Sequence, residues 1–320
     1  MTMMTPDGPN AAGGSVHNNE TESTAGAVET ETLLVMPTKK PVWRRIPNFG
    51  VLGWLGIFIL SFWGILGLFG PLIAPHSESA IIDGSLSFSE IGEGGVLGLD
   101  YLGRDILSRI IYGTRTTLGL ALAATAIAFA VGGALGIIVV IIGGQLENVT
   151  SRLVDGIVAF PAIMLALVVV SAVGSSLTAL VVTVGLIEAA RVYRIARALA
   201  QDIMAMDFVE ISLSRGESRT WVMWNEVLPN SLIPLSTDFG LRFTYSILLL
   251  SGLSFLGLGV QPPYADWGVM VRENLLGMTF APHTVLLPAL AIYSVTLAVN
   301  FLVDWNLARG NRDITNELVK

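Results

Sequence analysis

Cysteine is absent from all 320 residues, so disulfides, thiolate metal sites, redox motifs and cysteine nucleophiles are excluded. Charge is scarce as well. Asp, Glu, Lys and Arg make up 13 % of the chain, against about 25 % in a soluble globular domain. Histidine occurs only at His17, His76 and His283, scattered through polar stretches, so no metal site or bound cofactor is expected. The three lysines are Lys39, Lys40 and Lys320, and none follows a glycine. The phosphate-binding pattern GxxxxGK[ST] is therefore missing, and the chain does not hydrolyse ATP by that route. A net charge of −7 argues against a nucleic-acid partner.

What is present is apolar: 52 % hydrophobic residues and a mean hydropathy of +0.68. A spanning helix needs about 20 predominantly apolar residues. Six stretches qualify, at 50–74, 117–142, 156–174, 178–197, 231–258 and 284–305, and predict an all-α integral membrane protein. The third and fourth are parted only by Gly174, Ser175 and Ser176. Residues 1–38 hold five acids and no Lys or Arg, so residues 1–45 read as a disordered acidic tail with a basic membrane-proximal end. Residues 46–305 form the membrane domain, and 306–320 a C-terminal tail.

Positive charge sets the orientation. Lys39, Lys40, Arg44 and Arg45 precede the first span and place the N-terminus in the cytoplasm. Six spans return the C-terminus to the same side. Thirteen of the 18 Lys and Arg then fall inside, four fall outside, and Arg242 lies within the fifth span.

Two long connections carry helical patterns. In the inner one, 198–230, Phe208, Val209 and Ile211 have helical spacing, and Gly216 is a natural helix stop. A second amphipathic stretch, Trp221 to Val227, is expected to end at Leu228-Pro229-Asn230. Exposed apolar helices of this kind fit a partner's groove or a lipid surface equally well. In the outer connection, 75–116, Asp105 can cap a helix with Ile106, Ile110 and Ile111 on one face and Ser108 and Arg109 turned away. Gly103, Arg104, Asp105, Ser108 and Arg109 thus mark an outer amphipathic segment. It is either an interfacial anchor or a contact for a partner.

The stretch Glu210 to Gly216, followed after nine residues by Glu226-Val227-Leu228-Pro229, resembles the EAA loop of ATP-binding-cassette (ABC) importer permeases. Ile211 and Ser212 replace the two alanines of that pattern, and Glu226 replaces its isoleucine. Gly98 to Gly113 is similar to GTDxxGRDxxSRxxYG, and Leu253 to Gly268 to LSFLGLGVQPPxxxWG. Together they resemble the dipeptide/oligopeptide/nickel permease family, in particular its second (C-type) subunit, over about residues 45–305. The departure lies after Asp304, where Trp305 and Asn306 replace a Gly-Leu pair.

That resemblance implies a type I ABC importer permease in a bacterial or archaeal plasma membrane. It implies a homologous second permease, two ATPase subunits that use ATP and Mg, and an extracytoplasmic solute-binding protein. The helix at about 205–216 would dock into an ATPase cleft. Phe208, Val209, Glu210, Ile211, Ser212, Gly216, Leu228 and Pro229 make up this coupling loop. The transported solute would be a di- or oligopeptide or a related small polar compound. An ion-driven secondary transporter is the alternative; it would be expected to show internal repeats, and none is evident. An intramembrane hydrolase is disfavoured by the placement of the three histidines.

Charges inside apolar helices rarely face lipid. Asp238 and Arg242, four residues apart in the fifth span, share a helix face, and Glu188 lies in the fourth with Arg191 beyond it. They are candidates for the substrate path or for a self-neutralising pair between helices. The small-residue run Gly132 to Gly136 predicts close helix packing.

Overall fold

The computed structural model describes residues 51–318, with side chains to Leu307. The acidic tail and its basic end lie outside the described residues. Those described are helical apart from turns and two isolated β-bridges. Helix α1 is Val51–Ile73. Helix α2, Ile106–Ala128, runs through a π-helical turn, Phe129–Gly133, into α3, Ala134–Ile142. Helices α4 (Gly144–Val158), α5 (Ala162–Val173) and α6 (Leu177–Met204) follow. Then come α7 (Asp207–Ser214) and α8 (Arg219–Val222), and a π turn, Met223–Val227, leads into α9 (Leu228–Phe255). The chain closes with α10 (Trp267–Glu273) and α11 (His283–Leu318).

Among the described residues, three helical stretches are long and apolar enough to cross a membrane: Val51–Ile73, Ile106–Ile142 and His283–Leu307. Helices α6 and α9 have the length, 28 residues each, but carry more polar and charged side chains. The continuous span expected at 156–174 is instead two helices bent by 91°. Pro161 is the cause: it has no N–H for the preceding turn and sits extended, at φ −59° and ψ 123°. The turn between α5 and α6 falls where expected. Gly174 takes φ +97°, and Ser176 caps α6 by accepting from the Ala179 N–H. Helix α11 continues without a break through the segment expected to be a tail.

The main core lies between α2, α5, α6, α9 and α11, around Leu180, Val184, Ile247, Leu253 and Val295. Small residues set the closest crossing. A Cβ on Gly132 would stand 2.2 Å from the Ala189 carbonyl oxygen of α6, and one on Gly136 would stand 2.8 Å from the Tyr193 carbonyl oxygen. Gly132→Ala must therefore separate two backbones, at a cost of about 1–3 kcal/mol. Gly64→Ala in α1 meets no atom within 4 Å and is expected to be neutral or slightly stabilising. Unfolding of the two variants in detergent micelles compares them directly.

Candidate functional site

The connection at 198–230 is built on α7. Its buried residues, Val209 and Ser212, are one helical turn apart. Val209 joins a cluster with Ala200, Ile203, Val222, Val227 and Leu235, and α7 packs against α6 and α8. Phe208, Glu210, Ile211 and Leu213 remain exposed. The helix ends because Gly216 takes φ +91°, a conformation that side chains with a Cβ resist. Its N–H donates to the Leu213 carbonyl at 3.0 Å, and that of Glu217 to the Ser212 carbonyl at 3.2 Å. On α8, Arg219 Nη1 donates to the Ile141 carbonyl at 2.8 Å. A cation thus meets the negative end of α3 and ties the loop to it. The stop expected at Leu228-Pro229-Asn230 does not occur. Leu228 stays helical at φ −61° and ψ −49°, and the π turn Met223–Val227 runs straight into α9, with Pro229 in that helix's first turn.

On the opposite face of the sequence pattern, Asp105 caps α2, accepting from the Ser108 N–H at 3.0 Å. Ser108 and Arg109 are not turned away as the periodicity implied; both are buried along with Ile106, Ile110 and Ile111. The reason is a four-charge cluster. Asp100 Oδ2 accepts from Arg104 Nε at 2.7 Å and from Arg109 Nη1 at 2.5 Å. Glu273 Oε2, at the end of α10, accepts from Arg104 Nη2 at 2.8 Å and Arg109 Nη2 at 3.0 Å. Gly103 makes the tight turn between them at φ +75°, with the Asp83 carbonyl oxygen only 2.0 Å from where a Cβ would stand.

Asp266 caps α10 and reaches across to α2. Thr117 Oγ1 donates to its Oδ1 at 2.7 Å and the Val269 N–H to its Oδ2 at 3.1 Å. Next to it, buried Trp267 donates to the Ile110 carbonyl at 3.1 Å. Burial pushes the Asp266 carboxyl above the usual carboxylate range, against the hydrogen bonds from Thr117 and Ser254. The folded chain then holds this proton to higher pH than the unfolded chain does. Its contribution to stability therefore falls as pH rises from about 4, the ordinary Asp value, towards the raised native one. Asp266→Asn, which retains a cap, is expected to remove that slope; thermal unfolding against pH measures it.

In the core, Glu188 of α6 pairs with Arg191 on its own helix and, through Oε2, with Arg242 Nη1 of α9 at 3.3 Å. Arg242 Nε donates to Asp238 Oδ1 at 3.1 Å, and the guanidinium lies 5.2 Å from the Tyr245 ring centroid. The sequence brought Asp238 and Arg242 together, whereas the link to Glu188 is tertiary. An open cleft of about 350 Å³ lies beside α2 and is lined by Glu78, Tyr112, Arg115, Thr116 and Tyr264. Asp100, Glu273, Asp266 and the cleft residues were missed from the sequence. Only Asp100 carried a signal, through its spacing from Arg104 and Arg109.

Among the described residues no group of acids and histidines could hold a metal ion. The arrangement consists of apolar helices, an inward-anchored short helix and two ion clusters that clamp elements together. Residues 132–314, more than half of the chain, match the family described as binding-protein-dependent transport system inner membrane component, and the chain belongs to that family. It is thus a multi-pass, non-catalytic permease of an ABC importer. Such a system includes a binding protein and an ATPase.

The particular relatives are glutathione transport system permease proteins GsiD. The one from Pectobacterium atrosepticum is 32 % identical over 282 residues, covering 87 % of this chain and 90 % of that protein. Those from Escherichia coli O157:H7 and Shigella sonnei are 31 % identical over 301 residues, covering 90 % and 96 %.

Proposed function

We propose that this chain is the C-type permease of a type I importer for small peptides or peptide-like solutes, with six spans and both termini in the cytoplasm. It pairs with a homologous permease, and two ATPases sit beneath them. The observation that carries this reading is α7: a helix fixed from below by Val209 and Ser212, closed by Gly216, and presenting Phe208, Glu210 and Ile211 outward. A short rigid helix of this form fits a groove on a nucleotide-driven partner. The positive-inside distribution supports the orientation. The glutathione relatives support a peptide-like solute.

The test is uptake of labelled glutathione and dipeptides by the complex in vesicles containing ATP. Glu210→Lys with Gly216→Pro is expected to abolish uptake. The proline deletes the N–H bonded to Leu213 and forbids the positive φ, while the chain remains in the membrane. Uptake at the parent rate would refute the docking role. Uptake by the isolated chain on an ion gradient would favour the secondary-transporter alternative. Arg242 pairs with Glu188 of α6 and Asp238 of α9, which supports a brace between α6 and α9 over a ligand contact.

A further inference from the structure

Helix α4 is amphipathic in the reverse sense to a helix on a water-soluble protein. None of its residues is buried, yet its polar side faces the protein. Glu147 Oε1 accepts from Arg197 Nε at 2.9 Å and from Gln201 Nε2 at 2.7 Å. Ser151 Oγ lies 2.9 Å from Tyr193 OH, and Asp155 Oδ1 lies 3.9 Å from Arg194 Nε. Glu147, Ser151 and Asp155 recur every four residues, so one face of α4 is committed to the last turns of α6. Leu146, Val149, Leu153 and Ile157 form the other face and are 41–66 % exposed.

We propose that this outward stripe lies in the lipid interface of the membrane, making α4 an in-plane helix that rests on the inner leaflet. Three observations select lipid over water or a second protein. Helix α4 follows directly on the membrane-length stretch Ile106–Ile142, from which Gly143 and Gly144 turn it at φ +70° and +69°. It then meets α5 at 91°, so a helix crossing the bilayer requires a neighbour lying along it.

Exposed apolar side chains also continue at both ends of the stripe, at Ile142 and at Phe160 and Met164. The stripe is thus continuous with the surface of the helices that enter the membrane. Arg152, exposed and without an ion pair among the described residues, stands beside the stripe and suits the phosphate of an anionic headgroup. On this arrangement the polar bonds to α6 transmit any shift of its inner end to a helix floating on lipid.

The absence of native cysteine permits single nitroxide labels without background. Val149→Cys, Leu153→Cys and Asn148→Cys would be labelled and the full-length chain reconstituted with its partner subunits. The vesicles would be phosphatidylethanolamine and phosphatidylglycerol. Residues 149 and 153 are more than half exposed, so labels there displace no core. Accessibility to oxygen, relative to a water-soluble nickel chelate, is expected to be severalfold higher at 149 and 153 than at 148. Labels at 149 and 153 shielded from both reagents would mean that a protein covers the stripe, and would overturn the proposal. Free access of the nickel chelate to them would overturn it as well.

Discussion

Arg109→Ala is expected to destabilise the chain by about 3–5 kcal/mol, among the largest effects of any single substitution here. The Arg109 side chain is 2 % exposed and faces Asp100, which is fully buried, and Glu273. Removing it leaves two carboxylates to share Arg104 alone. The cost comes mainly from the buried charge left behind, since the intact cluster gains little over an apolar filling of the same volume. Arg109→Lys retains the charge but loses the two-pronged contact, so it should recover only part of the loss.

The comparison within the same chain is Arg194→Ala. That pair with Asp155 is 3.9 Å apart and more than half exposed, so its loss should cost under about 1 kcal/mol. Denaturant unfolding of the purified chain in micelles reads both. Because the cluster joins the approach to α2 to the end of α10, Arg109→Ala should also speed proteolysis of residues 75–105. An Arg109→Ala variant within 1 kcal/mol of the parent would mean that the cluster is solvated and does not clamp these segments.

The sequence carried the local devices well. Asp105 and Ser176 cap the helices they were placed to cap, or precede, and Gly216 stops α7, because each effect reaches only three or four residues along the chain. The Gly132–Gly136 run fits its crossing for the same reason: a missing side chain is visible in any sequence. The failures are tertiary. Periodicity alone turned Arg109 outward, since it cannot register that Glu273, 164 positions away, neutralises it in the interior. Hydropathy averaged over a window smoothed across Pro161 and joined two helices that meet at 91°. Pro229 was read as a stop, but the bias it places on the preceding residue is overridden here: Leu228 is held helical by the π turn before it. The residues proposed as the coupling loop came from a family pattern. Which of them face outward was not legible, because burial of Val209 and Ser212 depends on how α6 and α8 pack against α7.

Arg242→Met is expected to destabilise the core by about 3 kcal/mol or more, whereas Asp238→Asn should cost far less. Arg242 touches both Glu188 and Asp238, so its loss leaves Asp238 without a partner and Glu188 with Arg191 alone. Asp238 is less committed: its Oδ2 has no partner, and Arg242 keeps Glu188 when Asp238 is neutralised. Glu188→Met should cost less than Arg242→Met, since Arg242 keeps Asp238 and Arg191 is partly exposed to solvent. In the double variant Glu188→Met with Arg242→Met, the two losses should fall well short of additive. A coupling of about 0.5–3 kcal/mol is the range for residues in one network. A brace and a ligand contact then part company in transport. If the charges hold α6 to α9, Asp238→Asn with Arg242→Gln lowers uptake of every solute alike, in proportion to the complex that survives. If they bind the solute, the same pair shifts preference between acidic and basic dipeptides while stability barely changes. Since α6 and α9 enter and leave the α7–α8 loop, a bracing pair makes both helices answer to one motion at the loop.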